Sequence, residues 1–331
     1  MKILYRRKRG AYLLFGVKFK LFLKKIGIVL LASALFLAFL IGCSNPQTPV
    51  TASAITVTDQ AGRTVTLKGL AQRIVSLSPS NTEILFALGL GDKVVGVTSY
   101  DDYPPEAKTK PGIGGFSTPN MEAVVATNPD LILASNIHVK NNIIPQLEAR
   151  GLTVVVLDPA NIDDILSAIT LVGKLTGKDA EAKALTTDMQ KRIDAVSEIA
   201  SLSSYMPSVS FIVWDSPLTI AGTSTFHDEL IKKSGGYNII GTIGPKSGYP
   251  TVTLESFIAA NPAVIIAGVG MGDGGDRTYQ FIKTEPRLKD IDAVKNNRVY
   301  TIDQNIASHG GPRIVDALES FAKDIHPELF K

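Results

Sequence analysis

The chain has 331 residues, enough for two domains of ordinary size, and 45% hydrophobic with 20% charged residues is typical of a globular protein. Its formal net charge of +3 comes from the first 42 residues, which hold nine Lys and Arg and no acidic residue. The remainder has 25 basic against 31 acidic side chains, a balance that repels a phosphate backbone, so we expect no nucleic-acid partner. A single cysteine excludes an intrachain disulfide.

An apolar segment follows the basic N-terminal residues. Residues 26–42 carry no charge over 17 positions, a length between that of a secretory signal and that of a membrane span. Gly42 precedes Cys43, and polar residues come next, a pattern similar to a bacterial lipobox in which Cys43 is acylated and becomes the new N-terminus. The alternative is an uncleaved anchor helix with an incidental cysteine. In both cases we expect the rest of the chain to be tethered at the outer face of the membrane.

Secondary structure is predicted just beyond this segment. Residues 44–54 are rich in Pro, Thr, Ser and Ala and predict a flexible tether, whereas residues 55–67 predict a hairpin. From residue 74, short β-branched runs alternate with helical runs, which predicts parallel strands covered by helices on both faces. The expected strands are 74–77, 94–97, 131–134 and 154–157, and the expected helices are 81–90, 122–127 and 143–150.

A long helical stretch without strand character divides the chain. Residues 162–175 predict one amphipathic helix, and residues 178–202 predict a second whose apolar side chains recur at spacings of three and four. At 1.5 Å per residue the second helix spans roughly 38 Å, which predicts a rigid connection between two α/β halves. The alternative is an ordinary surface helix within one domain. The alternation resumes with a strand at 209–214 and a helix at 227–233.

The two halves are similar to each other in sequence. Residues 122–134 match residues 255–267 at six of 13 positions, including an Asn-Pro pair that ends the helix before the strand. A weaker match relates residues 83–89 to residues 229–235. We therefore predict two similar lobes with a ligand-binding cleft between them.

Motifs in the N-terminal half resemble a known family. The segment Arg-Ile-Val-Ser-Leu-Ser-Pro-Ser-Asn-Thr-Glu at 73–83, residues 99–105 and residues 120–122 are similar to periplasmic binding proteins for cobalamin, ferric siderophores and haem. The cobalamin-binding member is the most similar of these. The resemblance implies an α/β fold of two Rossmann-like lobes joined by a single long α-helix. We divide the chain accordingly into a lipoprotein signal segment (1–43), a flexible tether (44–54), an N-terminal lobe (55–176), a connecting helix (177–203) and a C-terminal lobe (204–331).

The resemblance also implies a function and its partners. It predicts a solute-binding lipoprotein of an ABC importer, without enzymatic activity or a resident cofactor. The protein would capture cobalamin or a related corrinoid in the cleft and deliver it to a permease with its ATPase. A ferric siderophore or haem is the alternative ligand, and a surface-tethered enzyme is the alternative class. We expect an extracytoplasmic monomer, anchored to the outer face of the cytoplasmic membrane.

Particular residues carry these expectations. Glu122 and Glu255 match glutamates that dock into basic pockets of the permease, and the alternative is that carboxylates simply favour helix N-termini. Six residues are expected to bind the ligand, either by resemblance or because they stand where a strand ends. For the aromatic residues among them, core packing is the alternative. The six are Tyr103, Phe116, Trp214, Tyr249, Asp303 and Arg313.

A glycine-rich run and four histidines are two further patterns that occur in known types of site. The glycine-rich run 268–276 contains G-x-G-x-x-G, but no helix is predicted directly after it, so we interpret it as a mobile loop at the rim of the cleft. The four histidines are scattered along the chain. His138 and His309 are expected in loops that could meet in the cleft and ligate a metal or haem, whereas His326 is expected at the surface.

Overall fold

The computed structural model describes residues 53–244, 246–270 and 275–330. The predicted signal segment and Cys43 lie outside these residues, as does most of the predicted tether. From Ala52 onwards the chain forms one compact unit. None of the helices described in this unit is long and apolar enough to cross a membrane.

The described chain begins with the predicted hairpin. Strands β1 (Ile55–Thr58) and β2 (Thr64–Leu67) pair antiparallel, with Ile55 opposite Leu67. Asp59 closes the turn by accepting the backbone N–H groups of Ala61 at 3.1 Å and Arg63 at 2.9 Å. The same carboxylate accepts the N–H of Val156 at 3.1 Å and so attaches the hairpin to the first large sheet.

The N-terminal lobe is built on a four-stranded parallel sheet with the order β4-β3-β5-β6. The strands are β3 (Ile74–Ser76), β4 (Val94–Gly96), β5 (Leu131–Ala134) and β6 (Val154–Val156), and the helices between them are α1 (Pro79–Ala87), α2 (Met121–Ala126), α3 (Asn136–Lys140) and α4 (Ile143–Glu148). All residues of β3, β5 and β6 are buried, as expected when helices cover both faces of a parallel sheet.

Two antiparallel helices follow β6. Helix α5 (Ile162–Thr176) is capped at its N-terminus by Asn161 and ends at Gly177, which adopts the left-handed conformation that glycine tolerates best. Helix α6 (Asp179–Ala200) is the predicted connecting helix and spans roughly 33 Å at 1.5 Å per residue. The predicted apolar stripe of α6 is buried, except that Leu185 is only partly so.

The C-terminal lobe has a five-stranded sheet with the order β11-β10-β7-β8 and β9 beside β7. Its strands are β7 (Ser208–Asp215), β8 (Leu218–Ile220), β9 (Tyr237–Asn238), β10 (Val264–Val269) and β11 (Val299–Asp303). Its helices are α7 (Phe226–Lys233), α8 (Ile240–Ile243), α9 (Leu254–Ala260), α10 (Arg277–Thr284), α11 (Asp292–Lys295), α12 (Gln304–Ser308) and α13 (Ile314–Ile325). Strand β8 runs antiparallel to β7, whereas the other described pairs of this sheet are parallel. The predicted α/β fold of two lobes joined by a long helix is confirmed.

The sequence repeat corresponds to a structural repeat. Helices α2 and α9 both lead into a strand through an Asn-Pro pair, and Asn128 and Asn261 both adopt left-handed backbone conformations with φ of 48° and 44°. The helices therefore end because asparagine tolerates positive φ, in addition to the restriction that the following proline imposes.

One hydrophobic core passes through both lobes. It includes Leu131 and Val155 of the first sheet, Met189 and Ile193 of helix α6, and Phe211 of the second sheet. Arg192 of α6 adds polar contacts to helix α13, with its Nη2 2.6 Å from Asp316 Oδ1 and its Nε 2.8 Å from Glu319 Oε1. Helix α6 is therefore packed against both lobes rather than suspended between them.

Replacing Ile193 with alanine is expected to lower the free energy of unfolding by about 2–5 kcal/mol, because it leaves a cavity in this shared core. Unfolding should remain a single transition, since both sheets lose the same support. Urea denaturation followed by circular dichroism measures both effects. The control is Lys191→Ala, an exposed position on the same helix, which should change stability by less than about 0.5 kcal/mol. Two separate transitions in the Ile193 variant would contradict a continuous core.

Candidate functional site

A cavity of about 1160 Å³ lies between the lobes. It is placed at the carboxyl ends of parallel strands, because Ser78 follows β3, Val97 follows β4, Ser135 follows β5 and Leu157 follows β6. Ligands of open α/β sheets bind at this edge. The volume slightly exceeds the range of about 300–1000 Å³ that is usual for pockets of drug-sized ligands.

The two lobes contribute unequally to the described wall of this cavity. Most lining residues belong to the N-terminal lobe, between Ser78 and Pro159. The C-terminal lobe contributes six of the described residues: Phe226, Gly270, Asn305, Ser308, His309 and Gly310. In the described part of the site, the N-terminal lobe therefore forms most of the cavity wall, and a few residues of the C-terminal lobe complete it.

The wall combines three kinds of chemistry. Apolar side chains provide flat packing surfaces, among them Val97, Phe116, Ile137, Leu157 and Phe226. Hydroxyl groups can both donate and accept hydrogen bonds. Those in the wall belong to Ser78, Ser80, Thr98, Ser99, Ser117, Ser135 and Ser308, among others. Charged groups of both signs complete the wall, namely Asp101, Asp102, Asp158, Lys108 and Lys110. Such a surface suits a bulky ligand with apolar faces and a polar rim.

Asp101 fixes one side of the wall. Its Oδ2 accepts the backbone N–H of Thr98 at 2.9 Å and also a hydrogen bond from the Thr98 hydroxyl. Its side chain is almost completely buried, and burial raises the pKa of this carboxyl although the threonine hydrogen bonds oppose the shift. Its Oδ1 has no hydrogen-bond partner among the described residues. The Thr98–Asp101 turn is thereby held in one conformation at the cavity.

A buried ion pair joins the lobes beside the cavity. Glu83 of helix α1 accepts two hydrogen bonds from Arg313, which immediately precedes helix α13, with Nε 3.0 Å from Oε2 and Nη2 2.5 Å from Oε1. His309 approaches the same carboxylate, with its Nδ1 3.6 Å from Oε1. Burial raises the pKa of Glu83, but the hydrogen bonds and charge of Arg313, with the nearby His309, outweigh it and hold that pKa below its ordinary value. Glu83 is therefore a carboxylate at neutral pH.

The predicted ligand-binding residues are distributed over several places. Phe116 lines the main cavity. Tyr103 and Arg313 line a second cavity of about 430 Å³, to which Glu83 and helix α6 also contribute. There the Tyr103 ring lies 3.8 Å from the Arg313 guanidinium carbon, an arrangement that stabilises the cation.

The other three predicted residues lie outside the described lining of the main cavity. The half-exposed Tyr249 places its hydroxyl 3.4 Å from His227 Nδ1. Trp214 is 40% exposed, and the Arg277 guanidinium carbon lies 5.2 Å from the centre of its ring. Asp303 caps helix α12 by accepting the N–H of Asn305 at 2.9 Å. A role in ligand binding remains a prediction for each of the six residues.

The two predicted docking glutamates occupy matching positions. Glu122 and Glu255 are each the second residue of a short helix, after the capping residues Asn120 and Thr253. Both glutamates are exposed. In a β-α-β unit the helix runs antiparallel to its strands, so both helices begin at the sheet edge that carries the ligand site. The capping residues satisfy the helix termini without help from either carboxylate, which leaves the glutamates available for an external partner.

The structure corrects the expectations for the histidines. His138 lies in helix α3, not in a loop, and both of its ring nitrogens are engaged, with Nε2 2.7 Å from the carbonyl oxygen of Phe116. His227 stacks on Phe211 at 3.8 Å, and burial lowers its pKa to about 3, so it is neutral. His326 is buried, not exposed, and contacts Glu328 and Gly235. Of the four histidines, only His309 lines the cavity.

The glycine-rich run also differs from expectation in one respect. Helix α10 begins at Arg277, directly after the run, although no helix was predicted there. The sequence signal is weak because the first turn of α10 has only one apolar residue, Tyr279. Gly270 lines the cavity and donates its N–H to the carbonyl of Gly275 at 2.9 Å.

Metal ligands do not cluster in the part of the chain that is described. Among residues 53–244, 246–270 and 275–330, no three side chains of His, Cys, Asp or Glu are placed to hold a metal ion together. Sequence reasoning did not single out Asp101, Glu83 or the serines of the wall as site residues. The available signal for Ser78 and Ser135 was their position just after strands β3 and β5, whereas Glu83 lies inside helix α1.

Replacing Glu83 with glutamine is expected to lower the free energy of unfolding by about 3–5 kcal/mol near neutral pH, because Arg313 then remains buried without a counter-charge. Since the pKa of Glu83 is lower in the folded state, this contribution is complete above about pH 4.5 and is lost as the pH falls through the folded-state value. The difference between wild type and variant should therefore shrink below pH 4.5.

Urea unfolding of both proteins between pH 7 and pH 3 measures this difference. The control is Glu198→Gln, which changes the charge of an exposed residue on helix α6 and should have little effect at any pH. A stability difference that stays constant down to pH 3 would show that Glu83 is not ionised in the native protein.

Comparison with known proteins places this architecture in a family. The model of the periplasmic binding protein family matches residues 74–306. The ABC transporter substrate-binding lipoprotein YvrC of Bacillus subtilis, which is itself uncharacterised, is 32% identical over 324 residues, covering 93% of this chain and 99% of its own. A cobalamin-binding protein of Halobacterium salinarum is 29% identical, covering 90% of this chain and 84% of its own.

Solved structures agree with these relatives. The vitamin B12-binding protein BtuF of Vibrio cholerae has a TM-score of 0.65 and 25% identity, covering 78% of this chain and 97% of its own. The haem-binding protein RhuT of Roseiflexus has a TM-score of 0.69 and 28% identity, covering 78% and 98%. Residues 74–306, which the family model matches, include the four-stranded sheet, the five-stranded sheet, the connecting helix and most of the cavity wall. The chain belongs to the periplasmic binding protein family, whose members bind solutes for ABC transporters.

Proposed function

We propose that this protein captures cobalamin or a related corrinoid in the interlobe cavity and delivers it to an ABC permease. The observation that carries the proposal is the cavity of about 1160 Å³, whose wall combines apolar faces with many hydroxyl groups and several carboxylates. A corrinoid has two broad apolar faces and a rim of amide side chains. Its rim amides can donate to Asp102 and Asp158 and exchange hydrogen bonds with the serine hydroxyls.

The named relatives support the same ligand. The cobalamin-binding protein of Halobacterium salinarum aligns over 90% of this chain, so the alignment includes both lobes and not only a shared half. Haem is the second candidate, because the haem-binding protein RhuT is at least as similar to this chain in structure as the vitamin B12-binding protein BtuF is. Lys108 and Lys110 of the cavity wall favour it, since lysines pair with the carboxylates that a haem carries.

The delivery step involves the two exposed glutamates. Glu122 and Glu255 lie at equivalent points of the two lobes, at the edge that carries the cavity. The Glu255 side chain is 78% exposed, and its nearest cation is Arg287 with Nη1 at 3.9 Å from Oε1, a separation at which the ion pair is weak. Two acidic groups at the lobe tips are complementary to paired basic pockets on a permease. We propose that the acylated Cys43 keeps the protein close to that permease.

Purified residues 53–331 are expected to bind cyanocobalamin, and Phe116→Ala should weaken binding by about tenfold or more, because an aromatic packing surface is lost from the cavity wall. Isothermal titration calorimetry measures both affinities. Tyr205→Ala is the matched control, since Tyr205 is an aromatic residue that is 61% exposed and does not line the cavity. Titrations with haemin and with a ferric hydroxamate test the alternatives. If the protein binds haemin but not cyanocobalamin, the proposed ligand is haem and the assignment of a corrinoid is wrong.

The double variant Glu122→Gln, Glu255→Gln is expected to abolish ligand uptake while leaving the affinity for the ligand unchanged. Removal of both charges eliminates the attraction to the permease, whereas neither residue lines the cavity. Uptake into proteoliposomes that contain the permease and ATPase measures transport. Glu181→Gln with Glu198→Gln removes two exposed charges from helix α6 and should transport normally. Normal uptake by the first double variant would refute the docking role.

A further inference from the structure

A buried histidine connects two hydroxyl groups of the C-terminal lobe. His227 is the second residue of helix α7 and is completely buried. Its Nδ1 lies 3.4 Å from the hydroxyl oxygen of Tyr249, and its Nε2 lies 3.3 Å from Oγ of Ser308. Ser308 lines the main cavity, whereas Tyr249 is half-exposed outside the described lining. The three residues form a hydrogen-bond relay that begins at the cavity wall and ends at a hydroxyl group outside it.

The surrounding lobe holds the relay in place. The imidazole stacks on Phe211 at a centroid separation of 3.8 Å and meets the ring of Tyr249 edge-on at 5.8 Å. The loop that carries this tyrosine packs against Gly222, where an added Cβ would lie only 2.8 Å from the carbonyl oxygen of Gly248. Ser308 is the last residue of helix α12. The contacts of the relay therefore exist before any ligand binds.

The two hydrogen bonds of the imidazole run in opposite senses. Burial lowers the pKa of His227 to about 3, so the ring is neutral at physiological pH. A neutral imidazole has one N–H donor and one nitrogen acceptor. If one hydroxyl group donates to the ring, the other must accept from it. Ser308 consequently offers the cavity either its own hydrogen or only its lone pairs, depending on which nitrogen of His227 carries the proton.

The acidity of the two hydroxyl groups favours one of these senses. The phenol of Tyr249 is a much stronger acid than the aliphatic alcohol of Ser308, which makes it the better hydrogen-bond donor. Burial raises the pKa of Tyr249, so its hydroxyl keeps the hydrogen at neutral pH. A relay in which the tyrosine donates and the serine accepts therefore uses the stronger donor.

We propose that His227 is a positioning residue that makes Ser308 a hydrogen-bond donor to the ligand. Tyr249 donates to Nδ1, the ring proton is on Nε2, and Nε2 donates to Oγ of Ser308. The hydroxyl hydrogen of the serine is then left for an acceptor in the cavity. The inference rests on the proposed function and names the group that is recognised at this point, a carbonyl or carboxylate oxygen. The rim amides of a corrinoid and the carboxylates of a haem both carry such an oxygen.

The position of the ring proton can be observed without a ligand. Two-bond ¹H–¹⁵N NMR spectra of the histidine-labelled protein are expected to show a neutral His227 ring with its hydrogen on Nε2. The signals of this ring are those that disappear in His227→Gln. A hydrogen on Nδ1 in the wild-type protein would overturn the proposal, because Ser308 would then donate to the ring and not to the ligand.

A double-mutant cycle tests the connection between the relay and the ligand. Ser308→Ala and Tyr249→Phe should each weaken the binding of cyanocobalamin about threefold, a modest loss because both hydrogen bonds of His227 are long. The two hydroxyl groups act through the same imidazole, so the double variant should bind no more weakly than Ser308→Ala alone. The matched control is Ser117→Ala, which removes a serine of the cavity wall in the N-terminal lobe. Its effect should add to that of Tyr249→Phe. Isothermal titration calorimetry measures each affinity.

The outcomes separate this inference from the proposed function. If the losses from Ser308→Ala and Tyr249→Phe are additive, or if Ser308→Ala leaves the affinity unchanged, the relay is refuted while corrinoid binding stands. If the protein binds haemin and not cyanocobalamin, a non-additive cycle with haemin supports the relay with a carboxylate as acceptor, and the corrinoid assignment fails. If neither macrocycle binds, the proposed function and the donor role of Ser308 are both overturned.

Discussion

The carboxylate of Glu83 is buried where the two lobes meet, and a buried anion is stable there only because Arg313 reaches it from the other lobe. The weaker internal repeat provides a counterpart on the opposite side. Glu229, the equivalent residue of helix α7, accepts the N–H of Ile162 at 2.9 Å, at the start of helix α5. Each lobe therefore uses the first helix of its repeat to hold the beginning of a long helix in the other lobe.

These two contacts act together with helix α6, whose buried face is part of the core that both lobes share. Relative movement of the lobes would have to break an ion pair, remove a helix N-terminus from its acceptor and disturb packed apolar side chains. Each of these costs free energy on the scale of kcal/mol. The cavity is consequently formed before any ligand binds. We therefore expect ligand selection to depend on the chemistry of the cavity wall more than on closure of the lobes.

The sequence predicted the fold well because the signals of helices and strands are local. The boundaries of β3, β5, α5 and α6 agree to within about two residues, and the repeat located equivalent glutamates at Glu122 and Glu255. The site was harder to predict, because which residues share a cavity depends on contacts between lobes. Tyr103 and Arg313 line a separate cavity, and His138 uses both nitrogens inside the fold, although in sequence all three looked like cleft residues.

Glu83 links the stability of the interlobe contact to the wall of the main cavity. Its carboxylate accepts two hydrogen bonds from Arg313, at 2.5 and 3.0 Å, and also faces the imidazole of His309. A change in the charge of that imidazole would therefore change the electrostatic energy of the ion pair between Glu83 and Arg313. Because His309 also lines the cavity, the interlobe ion pair and the cavity wall share this carboxylate, so a change at one of them alters the other.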